Sequence, residues 1–176
     1  MLSTWFDLVM PSQPADQDVT GSTDRLTGLI FRIFRANGRL LSAGDELIAP
    51  LGLTSARWQV LGAVAAAQPR PVAQLARDLG VSRQAVQRIA NALAQEGVLA
   101  FRPNPMHKRA QLVHLTEAGE DLHERALRLQ RPWADGLAAG LGRDEIEVAC
   151  DLLDRFLERL EASSAADDED AGPEDR

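Results

Sequence analysis

The sequence has one cysteine, three histidines and no apolar run near the roughly 18 residues that span a bilayer. Each shortage excludes something. A lone Cys150 closes no internal disulfide, which fits a reducing cytoplasm, and its place on an apolar helical stripe predicts a small buried hydrophobe. His107, His114 and His123 show no tight ligand spacing and no Cys/His set accompanies them, so neither a metal nor another cofactor is expected. There is no Gly-rich phosphate loop and no nucleophile elbow, and Glu117, Glu120 and Glu124 read as a solvated helical face rather than as catalytic acids. An enzyme is not expected. The first ten residues are rather apolar, but they lack a basic start and Asp7 interrupts them, which argues against a secretory signal. The expectation is a cytoplasmic protein with no membrane partner.

Positive charge is also scarce overall, since the net charge is −7, but its distribution along the chain reverses the inference. Residues 167–176 alone carry six acids and one Arg. Between 70 and 109, Arg70, Arg77, Arg83, Arg88, Arg102, Lys108 and Arg109 face only Asp78 and Glu96, a local balance of +5. An acidic chain thus contains a basic module, and a phosphate backbone would meet the local field rather than the average.

That module has a recognisable grammar. Pro71 opens a short helix over 72–79, Gly80 supplies a turn, and Ser82 caps a second helix that runs to about Glu96 before Gly97. Leu75, Ala76, Leu79, Val81, Val86, Ile89, Ala90 and Leu93 form the predicted inner surface. Arg83, Gln84, Gln87 and Arg88 face outward from the first turns of the second helix, where Arg can pair with guanine and Gln with adenine in a major groove. These four are the candidate base readers. Two apolar runs, 98–102 and 110–115, flank a proline-bearing basic tip and predict a hairpin, or wing, whose His107, Lys108 and Arg109 are candidate DNA contacts. Arg70, Arg77 and Ser82 are candidate phosphate contacts.

Around the module the periodicity is helical. Thr23 is a candidate N-cap for a long helix to about Ala49, and Thr54 for a helix with Trp58, Leu61, Val64 and Ala65 on one face that stops at Gln68-Pro69. Thr116 caps a second long helix reaching about Leu141, with a kink expected at Pro132. A last helix, 143–162, carries Ile146, Ala149, Cys150, Leu153, Phe156, Leu157 and Leu160 along one face, a stripe that wants a partner. The predicted layout is therefore all-α with a small β wing: a flexible segment over 1–22, a dimerisation helix over 23–53, a winged helix-turn-helix over 54–116, dimerisation helices over 117–162 and an acidic disordered tail over 163–176.

Leu51-Gly52-Leu53-Thr54, Trp58-Gln59-Val60-Leu61, the helix-turn-helix, Asn104-Pro105-Met106-His107-Lys108-Arg109-Ala110 and Leu115-Thr116-Glu117-Ala118-Gly119 together resemble the MarR family, the multiple-antibiotic-resistance-type regulators. The resemblance covers about residues 24–160. It implies an intertwined homodimer whose first and last helices interlock, and a repressor of a nearby operon released from a palindromic operator on double-stranded DNA by a small phenolic or anionic effector. It also implies an effector pocket between the dimerisation helices and the DNA module, for which Arg39, Trp58 and His114 are candidate lining residues. At the wing the family pattern is Asp-Pro-x-Asp-Arg-Arg; this chain has Asn104 and His107 at the acidic positions and Lys108 for the first Arg, and since the resemblance implies that the second acid ties the wing to Arg side chains below it, Arg88 and Arg102 are expected to lack that anion. A His107 near phosphate would strengthen binding as pH falls. The alternative function is a winged-helix protein-interaction module without sequence-specific DNA binding, which the negative net charge favours.

Overall fold

A computed structural model describes residues 19–66, 69–107 and 109–170, with side chains at 21–66, 69–107 and 109–163. In chain order the elements are α1 (Val19–Ile48), a 3-10 turn (Ala49–Leu51), α2 (Ser55–Ala66), β1 (Arg70–Pro71), α3 (Val72–Asp78), α4 (Arg83–Gln95), β2 (Leu99–Arg102), β3 (Leu112–Leu115), α5 (Glu117–Ala138) and α6 (Arg143–Asp170). The chain divides into two compact units, Met1–Leu127 and Arg128–Arg176.

The core of the first unit sits between α2, α3, α4 and the sheet. Ile48, Leu61, Leu75, Val86, Leu93, Leu99 and Val113 are almost wholly buried there. Helix α4 is strongly one-sided, with Val86, Ala90 and Leu93 inward. Helix α2 instead buries Val60 beside Leu61 and Val64, a wider face than the predicted one, while Trp58 packs against the core half-buried. The joint between α1 and α2 is polar and closed. Asp45 Oδ1 accepts the Ser55 backbone N–H at 2.5 Å, and the buried Ser55 hydroxyl donates to the Leu41 carbonyl at 2.6 Å.

Caps set the helix starts as the residue types dictate. Ser82 Oγ accepts from Ala85 N at 3.2 Å and Thr54 Oγ1 from Arg57 N at 3.4 Å. Gly80, at φ 63°, makes the left-handed turn between α3 and α4 that a side chain would strain. The turn throws Val81 outward, 46% exposed, so it does not join the predicted inner surface.

The sheet has three antiparallel strands in the order β1-β3-β2. Arg70 pairs with Val113 and Pro71 with Leu112 on one side of β3, while Leu99 to Arg102 pair with Leu115 to Leu112 on the other. The hairpin was expected; its third strand was not. Thr116 fastens the sheet to α5, donating from its hydroxyl to the Gly97 carbonyl at 2.6 Å and accepting from Gly119 N at 3.1 Å. A Cβ at position 119 would lie 2.1 Å from the Val98 carbonyl oxygen, so only glycine allows this approach.

Several boundaries move. Helix α1 begins at Val19, so Thr23 lies inside it rather than capping it; no proline interrupts 19–23, and Gly21 is accommodated. Helix α2 ends at Ala66, and the predicted stop at Gln68 lies outside the described residues. Pro132 lies within α5 without ending it. Helix α6 continues to Asp170 rather than stopping at Ala162, because the next helix breakers are Gly172 and Pro173. The predicted segment before Val19 lies outside the described residues.

In α6 every described side chain except the half-buried Phe156 is exposed. Cys150 is exposed too, contrary to expectation, because the apolar stripe that carries it is left uncovered within the single chain. Among the described residues no helix is long and apolar enough to cross a membrane.

Candidate nucleic-acid interface

The basic module folds so that α4 and the wing border two adjoining concavities. The outward side of α4 forms an open groove of about 770 Å³ lined by Arg83, Gln84, Gln87, Arg88, Asn91, Ala92 and Gln95. Their 3-and-4 spacing keeps the four predicted readers on one side of the helix while Val86, Ala90 and Leu93 hold the opposite side in the core. Gln87 Nε2 donates to Asn91 Oδ1 at 2.9 Å, which orients the Gln87 amide. Asn91 and Gln95 are not among the residues expected from the sequence, although the polar series 84, 87, 91, 95 marks them.

Beside that groove lies a second, smaller cleft of about 120 Å³. Its walls are Pro71, Val72, Ala73, Arg83, Gln87, Phe101, Arg109, Ala110 and Gln111. Arg83 and Gln87 thus belong to both concavities, and Arg109 of the wing shares the second with them. The fold brings the recognition helix and wing cations together from positions 26 residues apart.

Electrostatics favour an anion here for a specific reason. Both acids of the module are already engaged at its margins: Asp78 pairs with Arg70 at 2.5 Å and Glu96 pairs with Arg57. Among the described residues Arg77, Arg83, Arg88, Arg102 and Arg109 make no ion pair. Their field is left uncompensated, as a phosphate backbone requires. Arg70, one of the predicted phosphate contacts, pairs with Asp78 at the surface, and Ser82 Oγ accepts its cap bond while its hydroxyl can still donate. Arg77 is exposed in the last turn of α3.

The wing tip is ordered by local bonds. Asn104 Oδ1 accepts from Met106 N at 2.9 Å, the Asn104 carbonyl accepts from His107 N at 3.2 Å, and the His107 carbonyl accepts from Ala110 N at 3.0 Å. An amide at position 104 thus does the local work of a carboxylate, since either oxygen closes an Asx turn. His107 and Arg109 are exposed; Lys108 lies outside the described residues.

The three candidate effector residues lie on three elements, α1, α2 and β3. Arg39 lines a concavity of about 500 Å³ on α1 with Arg32, Arg35 and Ala36, and neither Trp58 nor His114 takes part in it. Trp58 packs against the core. His114, on β3, is half-buried with Nδ1 unpartnered; loss of hydration and the nearby Arg102 charge lower its pKa below 6.5, against an opposing hydrogen bond to the Ala100 backbone. Among the described residues no group of three or more His, Cys, Asp or Glu is placed to hold a metal.

Comparison with known proteins meets the same features. The MarR family model matches residues 51–110, from the start of the α1–α2 joint to the wing. An uncharacterized protein of Mycobacterium tuberculosis is 35% identical over 144 residues, spanning 80% of this chain and 97% of that protein. The multiple antibiotic resistance protein MarR of Escherichia coli is 30% identical over 130 residues, spanning 73% of this chain and 88% of that protein. This chain belongs to the MarR family. The solved structure of the transcriptional repressor CouR bound to a 23-mer DNA duplex shares its fold, with a TM-score of 0.65 at 26% identity over 82% of this chain and 99% of that one. As a MarR-family winged-helix protein, this chain is a DNA-binding transcriptional regulator.

Proposed function

We propose that this MarR-family regulator is a homodimeric repressor that grips a palindromic operator with two copies of the α4–wing face and releases it on binding a small anionic effector. The carrying observation is the cleft in which unpaired Arg83 and Arg109 converge with Gln87. A helix offering Arg and Gln to base edges beside a wing offering Arg to an adjacent groove is a complete duplex reader. Arg83, Gln84, Gln87 and Arg88 read bases in this scheme; His107, Lys108 and Arg109 contact DNA from the wing; Arg77 anchors a phosphate.

Dimerisation is supported by apolar surface that the single chain leaves open. Leu26, Phe34, Leu40 and Leu41 on α1, and separately Ile146, Val148, Leu152, Leu153 and Leu157 on α6, are all exposed. A chain in water covers stripes of this length with a second copy. Repression is supported by the likeness to CouR, itself a transcriptional repressor. An anionic effector is supported by the three arginines, 32, 35 and 39, that share one concavity on α1.

The test is duplex affinity against salt. Duplexes selected from a random pool by the full-length protein are expected to bind with a steeply falling affinity as salt rises, and Arg109→Ala should lower the slope of log K on log salt by about 1. A protein-interaction module would show neither selection nor slope, and that result would overturn the reading. A thermal-shift screen with small aromatic acids then tests the effector, since a ligand of the native dimer raises its melting temperature.

A further inference from the structure

Of the exposed large apolar side chains among the described residues, Met106 is the most accessible, at 83%. It is not part of an amphipathic stripe: Pro105 and His107 flank it at the tip of the wing. It is not on a loose loop either. Its backbone N–H is held by Asn104 Oδ1 at 2.9 Å, two further turns are closed by His107 N and Ala110 N, and Pro103 and Pro105 fix φ on the approach. The wing therefore presents one unbranched, polarizable side chain outward from a tied turn.

Its surroundings indicate what it meets. Arg109, three residues on, lines the cleft shared with Arg83 and Gln87, so the chain leaving the tip borders the α4 face. An apolar group kept in water among cations gains nothing in the free protein. In a minor groove, apolar side chains act as wedges between base steps, and the steps that yield are the flexible pyrimidine–purine ones. An apolar tip, an Arg three residues on and an ordered hairpin are the parts such a wedge needs.

We infer that Met106 is an apolar wedge that enters the minor groove beside the wing cations and makes the protein prefer a deformable step, TA or CA/TG, at that place. The inference rests on the proposed reading that the wing contacts DNA. Position 106 then sets sequence preference without a hydrogen bond to any base.

The experiment uses the full chain and a selected duplex of about thirty base pairs, long enough for two half-sites one turn apart. Wing-facing steps are located by footprinting, and their adenines are replaced by 2-aminopurine, whose fluorescence rises on unstacking. Wild type and Met106→Leu are expected to raise the signal at one step, and Met106→Ala is not. Replacing that step by GC should weaken wild type roughly tenfold and Met106→Ala by less than about twofold. Retention of both the signal and the preference in Met106→Ala would overturn the wedge. Arg109→Ala separates the two levels. If it leaves affinity unchanged on every duplex, the wing reading falls and the wedge with it; if it weakens binding while Met106→Ala alters neither readout, the wedge alone falls. An 83% exposed side chain can be truncated without loss of the fold.

Discussion

Helices α4 and α6 are both amphipathic, but only one is satisfied within its own chain. Helix α4 buries Val86, Ala90 and Leu93 completely and leaves a polar face of arginines and amides outside. Helix α6 leaves Ile146, Val148, Leu152, Leu153 and Leu157 in the open. The contrast separates two kinds of exposed surface. A polar face backed by a full core is available for a ligand, whereas an apolar face with no core behind it demands a partner of its own kind.

The strongest way to break that contrast is to charge α6. Leu153→Glu with Leu157→Glu is expected to convert dimer to monomer in sedimentation and to weaken duplex binding on the order of 100-fold, because two half-sites can no longer be held together. A dimer that survives would show that the exposed stripe is not the interface. Next comes the core side of α4. Leu93→Ala removes a wholly buried side chain and should cost about 2–5 kcal/mol of stability in urea unfolding, with little change in the bases preferred by the protein that remains folded. The reading side should show the reverse. Arg88→Ala should leave the melting temperature unchanged and cost roughly 1–3 kcal/mol of affinity, confined to one base pair in a footprint. Equal losses on all sequences would reclassify Arg88 as a phosphate contact.

The smallest effect is a pH dependence at the root of the wing. Loss of hydration, aided by Arg102, lowers the pKa of His114 in the folded chain, so the unfolded chain takes up this proton first. The stabilisation is whole above the ordinary histidine value of about 6.5 and is lost as pH falls toward the lowered folded value. Melting temperatures of wild type and His114→Gln should therefore diverge in pH dependence below about pH 6.5 and run parallel above it; parallel curves throughout would show that His114 carries no such linkage.

The helix-turn-helix and the wing were legible because local chemistry marks them: a cap at Ser82, a turn at Gly80, apolar runs on both sides of Pro103. The family resemblance followed from the same residues. Strand β1 was not legible, since two residues, one of them a proline, show no alternation and take their identity only from the Val113 and Leu112 they pair with. Val81 misled because its apolar character fits the inner surface, while the backbone at Gly80 turns it outward. Asn104 stands at the first acidic position of the family pattern, where its bond to Met106 N needs an oxygen and not a charge. The Arg83–Arg109 cleft was invisible for a different reason: it is made by the return path of β3, and no spacing in the sequence encodes it.

Strand β3 is paired on both edges, with β1 leading into α3 and β2 following α4. The base of the wing is therefore held at β3 from two sides rather than from one. Helix α4 and the wing are thus joined through one sheet, with Arg83 and Arg109 lining one cleft. In the proposed dimer, release from an operator would then act on the distance or angle between the two heads, since within each head helix and wing share one sheet.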